Sequence, residues 1–265
     1  MEEQNVNETL QSEKQDGKLS GATMKSPFLT KLENFWYHYK WPFLIGLFTL
    51  VVLIVCLVQC SSKSDYDIYV MYAGPVTLTQ EDIEDIKTSL EPYVTDLNED
   101  GEITIAVRNL VIYSLAELEK KKKEGVDVSF LANTSQMNTE VFDNEIQAGE
   151  AVICLLDPAL FESVCLQGGF MEQSFSEKVP DYARLGKIKV KNQAGTETVR
   201  EGYFGYRLGG MDLHKLPGLS RLRGDTVLCV RKISTMQSLY GKKKAERHHA
   251  NNVAIFNRII AGEEE

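Results

Sequence analysis

Residues 151–161, Ala-Val-Ile-Cys-Leu-Leu-Asp-Pro-Ala-Leu-Phe, decide the fold. Six apolar residues in a row, Ala151 to Leu156, predict a strand buried on both faces, because a strand with one wet face would alternate. Asp157 stands where a helix N-cap belongs. Pro158 fits the first helical position, where its missing N–H has no intrahelical partner, and Gly168-Gly169 ends the helix.

Working outward, the same grammar recurs. Tyr66 to Tyr72 reads as a strand stopped by Gly74-Pro75. Thr79 with Asp82 then caps a helix whose apolar face is Ile83, Ile86 and Leu90, ended by Pro92. Ile103, Ile105 and Val107 alternate as a strand continuing through Tyr113. Ser114 with Glu117 forms a capping box for a helix over Leu115 to Glu124. Val126 to Phe130 reads as a further strand and Thr139 to Ala148 as a helix. Downstream, Lys187 to Leu208 reads as a hairpin turning at Gln193 to Gly195. Thr226 to Val230 is a second buried-type strand. A last helix, about Lys244 to Ala261, carries the stripe Ala245, His249, Val253, Phe256 and Ile260. Interleaved strands and helices with one hairpin predict an α/β domain whose mixed β-sheet is flanked by helices on both sides.

The N-terminal part is of another kind. Between Lys40 and Lys63 lie 22 uncharged residues, and Trp41 to Val58 is long and apolar enough, at about 1.5 Å per residue, to cross a bilayer core as a helix. Phe35, Trp36, Tyr37, Tyr39 and Trp41 with Lys31 and Lys40 form an interfacial belt before it. Lys25, Lys31 and Lys40 outnumber the cations just after the span, which places the N-terminus in the cytoplasm and the rest outside. The organisation expected is a disordered cytoplasmic tail over 1–27, belt and transmembrane helix over 28–60, and an extracytoplasmic domain over 61–265.

The first 60 residues carry 5 of the 29 basic and 6 of the 38 acidic side chains, so the remainder has a net charge of −8. That field disfavours nucleic acid. The Lys120 to Lys123 run, set among Glu117, Glu119 and Glu124, reads as a solvated helix face. Cys154, Cys165 and Cys229 are odd in number among apolar neighbours and read as buried thiols, with a Cys154 to Cys165 bridge as the alternative. There is no G-x-S-x-G, H-E-x-x-H, Walker loop or Cys-x-x-Cys, so the expectation is a non-catalytic chain.

Two constellations remain. Asp96, Asn98 and Asp100, followed by Gly101, occupy the first oxygen positions of a calcium loop, but Val107 stands where the closing bidentate Glu belongs. The expectation is weak Ca²⁺ binding or an Asx-rich turn, and no other cofactor. Ligands of open α/β sheets sit at the carboxyl ends of strands, which selects Tyr72 and Gly74 after the first strand and Asp157 after the buried one, with Tyr206 on the hairpin.

The segment Gln147 to Phe161, a helix ending in Gly, then a strand, Leu-Leu-Asp and a helix opening with Leu-Phe, resembles extracellular solute-binding proteins of the type 2 periplasmic fold. The later strand Thr226 to Val230 and a terminal helix with Ala254-Ile-Phe256 are similar to how those proteins end. The Asn34 to Trp41 belt and the Tyr72 to Pro75 strand end also resemble uncharacterised single-span proteins of anaerobic Gram-positive bacteria. The resemblance implies a periplasmic-binding-protein-like domain that binds a small molecule or peptide at the cell membrane. The competing expectation is an interaction or sensing module for a neighbouring envelope protein, with no small-molecule ligand.

Overall fold

The structure, a computed structural model, describes residues 27–61, 66–97, 100–148, 150–176, 178–192, 195–233 and 242–263. The tail expected to be disordered lies outside them except for Pro27. Contacts divide the chain into two units, Met1–Ser64 and Asp65–Glu265. In the first, α1 (Pro27–Ser61) is one continuous helix with Pro42 inside it. Its stretch Tyr39–Cys56 is long and apolar enough to cross a membrane, and its side chains are solvent-exposed throughout.

The second unit is a mixed α/β domain. In chain order it runs β1 (Ile68–Gly74), α2 (Gln80–Leu90), β2 (Ile105–Val111), α3 (Leu115–Lys123), α4 (Ser129–Ala148), β3 (Ile153–Leu156), α5 (Pro158–Leu166), β4 (Ala183–Lys191), β5 (Glu197–Arg207), β6 (Val227–Val230) and α6 (Lys242–Ala261). The strands form one six-stranded sheet in the order β2-β1-β3-β6-β5-β4. β1 is parallel to β2 and β3, while β3–β6, β6–β5 and β5–β4 are antiparallel.

Both faces of the sheet are covered, which is why its central strands are continuously apolar. On one face Val70, Tyr72, Leu155 and Leu228 pack with Ile86 and Leu90 of α2 and Ile255, Phe256 and Ile259 of α6. On the other, Tyr69, Met71, Cys154, Leu156 and Cys229 meet Phe142 of α4 and Phe161 and Val164 of α5. All seven residues of β1 and all four of β3 and of β6 are buried. The capping boxes at Thr79–Asp82 and Ser114–Glu117 are formed, and the Asp157 carboxylate accepts from Ala159 N.

Three expectations are corrected. The strand expected at Val126 to Phe130 is a loop running into α4, because the Asp127 carboxylate accepts from Ser129 N at 2.9 Å and starts a helix ten residues ahead of the expected one. β2 begins at Ile105 rather than Ile103, since the Asp67 carboxylate takes the amide of Thr104. The inward face of α6 is Asn252, Ile255, Phe256 and Ile259, a rotation of the expected stripe that leaves Val253 and Ile260 half-buried. Cys154, Cys165 and Cys229 are free and buried, so no bridge joins the first two.

Candidate functional site

Parallel pairing of β1, β2 and β3 brings Gly74, Val111 and Leu156 to one end of the sheet. The antiparallel partners deliver the start of β6 and the finish of β5 to that same end, with Val227 beside both Leu156 and Arg207. The residues just past these strand ends therefore meet. They are Glu117 in the first turn of α3, Asp157 at the N-cap of α5, and Arg223 and Asp225 ahead of β6.

Arg223 is the hub. Its Nη2 and Nε donate to the two carboxylate oxygens of Asp225 at 2.6 and 2.9 Å, and its Nη1 donates to Glu117 Oε1 at 2.6 Å. Nη1 also lies 3.8 Å from Asp157 Oδ2. Glu117 does double duty, since its other oxygen accepts from Ser114 N and Ser114 Oγ. Burial holds the Asp157 carboxyl above the usual range, opposed by the Ala159 amide and by the Arg223 guanidinium. The cluster thus binds its charges to one another.

Of the residues selected from sequence, Tyr72 is buried with its hydroxyl accepting from Val76 N at 3.0 Å. Burial pushes that phenol up to about 12. Gly74 is explained by this ring: a Cβ there would sit 2.6 Å from Tyr72 Oη. Asp157 stands at the strand end as expected. Tyr206 is buried in the sheet's α2/α6 side, its ring 6.0 Å from Tyr182 and 6.1 Å from Phe256. Tyr72 and Tyr206 therefore belong to one core cluster rather than to an open cleft.

A cavity of about 280 Å³ has walls that include Tyr93, Tyr182, Met211, Leu213 and the last turn of α6. Neither Tyr72, Asp157 nor Tyr206 lines it, though Tyr206 contacts Tyr182, which does. The Asp-rich loop lies at the opposite end of the sheet, ahead of β2. There Asp96 Oδ2 accepts from Gly101 N at 2.8 Å and Asp100 Oδ1 from Glu102 N at 2.9 Å, while Asn98 lies outside the described residues. Among the described residues no group of three or more His, Cys, Asp or Glu is placed to hold a metal ion. The loop is tied down by the buried Asp67, which accepts from Leu97 N and Thr104 N, both at 2.7 Å.

The thiols are held protonated by burial, Cys154 up to about 12 and Cys165 up to about 11. Sequence reading missed Arg223, Arg231 and Asp67. The one local signal for the first was an Arg-Gly-Asp turn immediately before a buried strand. Comparison with known protein families, curated proteins and solved structures found no match for this chain.

Proposed function

We propose that the chain is a single-pass membrane protein, N-terminus in the cytoplasm, whose extracytoplasmic domain docks a neighbouring envelope protein without chemistry. One contrast carries this reading. The strand ends where an open α/β sheet would hold a small ligand are filled by Tyr72 and closed by the Arg223 cluster, whereas large apolar side chains of α3 and α4 face solvent. Leu115 is 81% exposed, Phe130 76% and Met137 68%. Phe130 and Met137 are two helical turns apart and so share one face of α4. Large apolar side chains exposed on one helix face are a signature of protein contact.

The test is a photo-crosslinking residue at the exposed Asn133, between those two side chains, in cells expressing the full chain. A discrete adduct that disappears on Phe130→Ser is expected. No adduct, or one indifferent to Phe130→Ser, would remove the reading. Protease added to intact cells should also degrade the domain, and protection would reverse the orientation.

A second reading is favoured by the 280 Å³ cavity between Tyr93 and Tyr182. It is the solute-binding function implied by a periplasmic-binding-protein-like fold, whose support is the buried β3, the Asp157 cap and α5 in direct succession. A rise in melting temperature of the full chain with one amino acid, sugar or short peptide, lost on Tyr182→Leu, would move the assignment to this reading.

A further inference from the structure

The two edges of the sheet are finished differently. At the β2 edge, α4 closes the last residue of the strand and the chain just past it: Asn138 Nδ2 donates to Val111 O at 2.8 Å, and Ser135 Oγ accepts from Tyr113 N at 3.0 Å. At the other edge β4, nine residues long, has β5 on one side only. Its alternation is set at the turn, where Asn192 N donates to Thr196 O. Counting back by two, 190, 188 and 186 bond β5, while Lys187, Lys189 and Lys191 direct their N–H and C=O outward. The outward groups of Lys189 and Lys191 bond no other element among the described residues.

The side chains of this edge are sorted by face. Gly186 and Ile188 point inward toward α5, with the partly exposed Val190 beyond them. The three lysines share the opposite face, where they oppose Glu201, Val199 and Glu197 across the hairpin. Their ion pairs are long, 3.6 Å from Lys187 to Glu201 and 3.9 Å from Lys191 to Glu197, and lie in solvent. Beside the edge a cavity of about 320 Å³ is lined by Glu162 and Leu166 of α5, by Leu185, Gly186 and Lys187 of β4 and by Glu201 of β5. Gly186 lets α5 seat closely on bare backbone at the cavity's inner wall, since a Cβ there would strike Cys165 Sγ.

The geometry points to β4 as a strand-addition site for an extended segment of a partner protein. That segment is acidic at alternate positions, to face Lys187, Lys189 and Lys191. Its other face is apolar, to lie along Val190 and place one side chain in the cavity. A second copy of this chain does not fit, because pairing β4 with itself would set two lysine rows side by side on one face. The inference rests on the docking reading above but uses a different surface.

The probe is a blocked peptide alternating Asp and Val, about eight residues long to match β4 at ~3.4 Å per residue. It is compared with its Lys/Val counterpart and with an isomer holding all Asp before all Val, each titrated by fluorescence anisotropy against the full chain in detergent. The alternating acidic peptide should bind at least about tenfold tighter than either control, from three cross-strand charge pairs. It should slow amide exchange at 187–191 and leave 105–111 unchanged. The combined Lys187→Glu, Lys189→Glu and Lys191→Glu variant should prefer the Lys/Val peptide. Equal binding of all three peptides, or unaltered exchange in β4, would overturn the proposal and leave the lysines as guards against edge-to-edge aggregation. That result beside an intact Asn133 adduct rejects the edge alone; loss of both rejects the docking reading as well.

Discussion

Arg223 and Arg231 flank β6 at its two ends, and they solve the burial of a guanidinium in opposite ways. Arg223 is half-exposed and ringed by carboxylates, with Asp225 and Glu117 in contact and Asp157 close by. Arg231 is 2% exposed, yet its hydrogen bonds go to carbonyls: Nε to Ala151 O at 2.9 Å and Nη1 to Ile146 O at 2.6 Å. Among the described residues its Nη2 has no partner, and burial lowers its pKa. Arg231 works as a structural donor, closing the C-terminal turn of α4 onto the strand that follows. Arg223 works as a charge balance at the strand ends. Position relative to solvent, and not residue type, sets the role.

The largest consequence is at the buried end. Arg231→Met keeps the volume and removes a buried charge, but it strands two carbonyl acceptors, each costing about 1–3 kcal/mol when left unmade. Relief from charge burial offsets part of this, so urea unfolding should show a loss of about 2–4 kcal/mol. A change under about 1 kcal/mol would mean that water replaces the guanidinium and that the two ends differ little.

Glu145 sharpens the contrast. Its Oε1 meets Arg108 Nη1 at 3.1 Å, while Oε2 is buried without a partner among the described residues. Burial raises its pKa, with Arg108 opposing. The folded state therefore binds this proton more tightly than the unfolded chain does. The stability due to it is present below about pH 4 and is lost as pH rises from the ordinary carboxylate value through the raised folded one. Glu145→Gln should remove that decline, so the difference between variant and parent grows in the variant's favour across the window. Parallel stability curves would show that Arg108 already compensates the burial.

How far the fold could be read follows from the same physics. Strands buried on both faces announce themselves by composition, and the runs beginning at Tyr66, Ala151 and Thr226 mark β1, β3 and β6 to within two residues. Helix starts were legible at the capping residues Thr79, Ser114 and Asp157, but not at Asp127. The first half of α4 was not, because only Ser135 and Phe142 of its residues are buried and Phe130 and Met137 point outward. Its apolar pattern reports a surface. Asp157 could be placed at a strand end from its neighbours alone. Arg223 reaches it only through the antiparallel return of β6, a long-range pairing that its local Arg-Gly-Asp turn does not reveal. Tyr72 and Tyr206 were misleading for a related reason: a tyrosine at a strand end reads the same whether its ring faces a ligand or the core.

The smallest effect is expected at Arg223. Its side chain is 44% exposed, and solvent screens its pairs with Glu117 and Asp225. Arg223→Ala should cost under about 1 kcal/mol at neutral pH, and less as salt is added. The guanidinium is nevertheless one of the groups that draw the Asp157 carboxyl down against burial. Without it the folded pKa of Asp157 rises further, which NMR titration of that carboxyl would read directly. The deficit should then be largest at neutral pH and vanish in acid, where Asp157 is protonated in both states. A deficit above about 2 kcal/mol, or one indifferent to salt, would place Arg223 with Arg231 as a structural donor and dissolve the distinction between the two ends of β6.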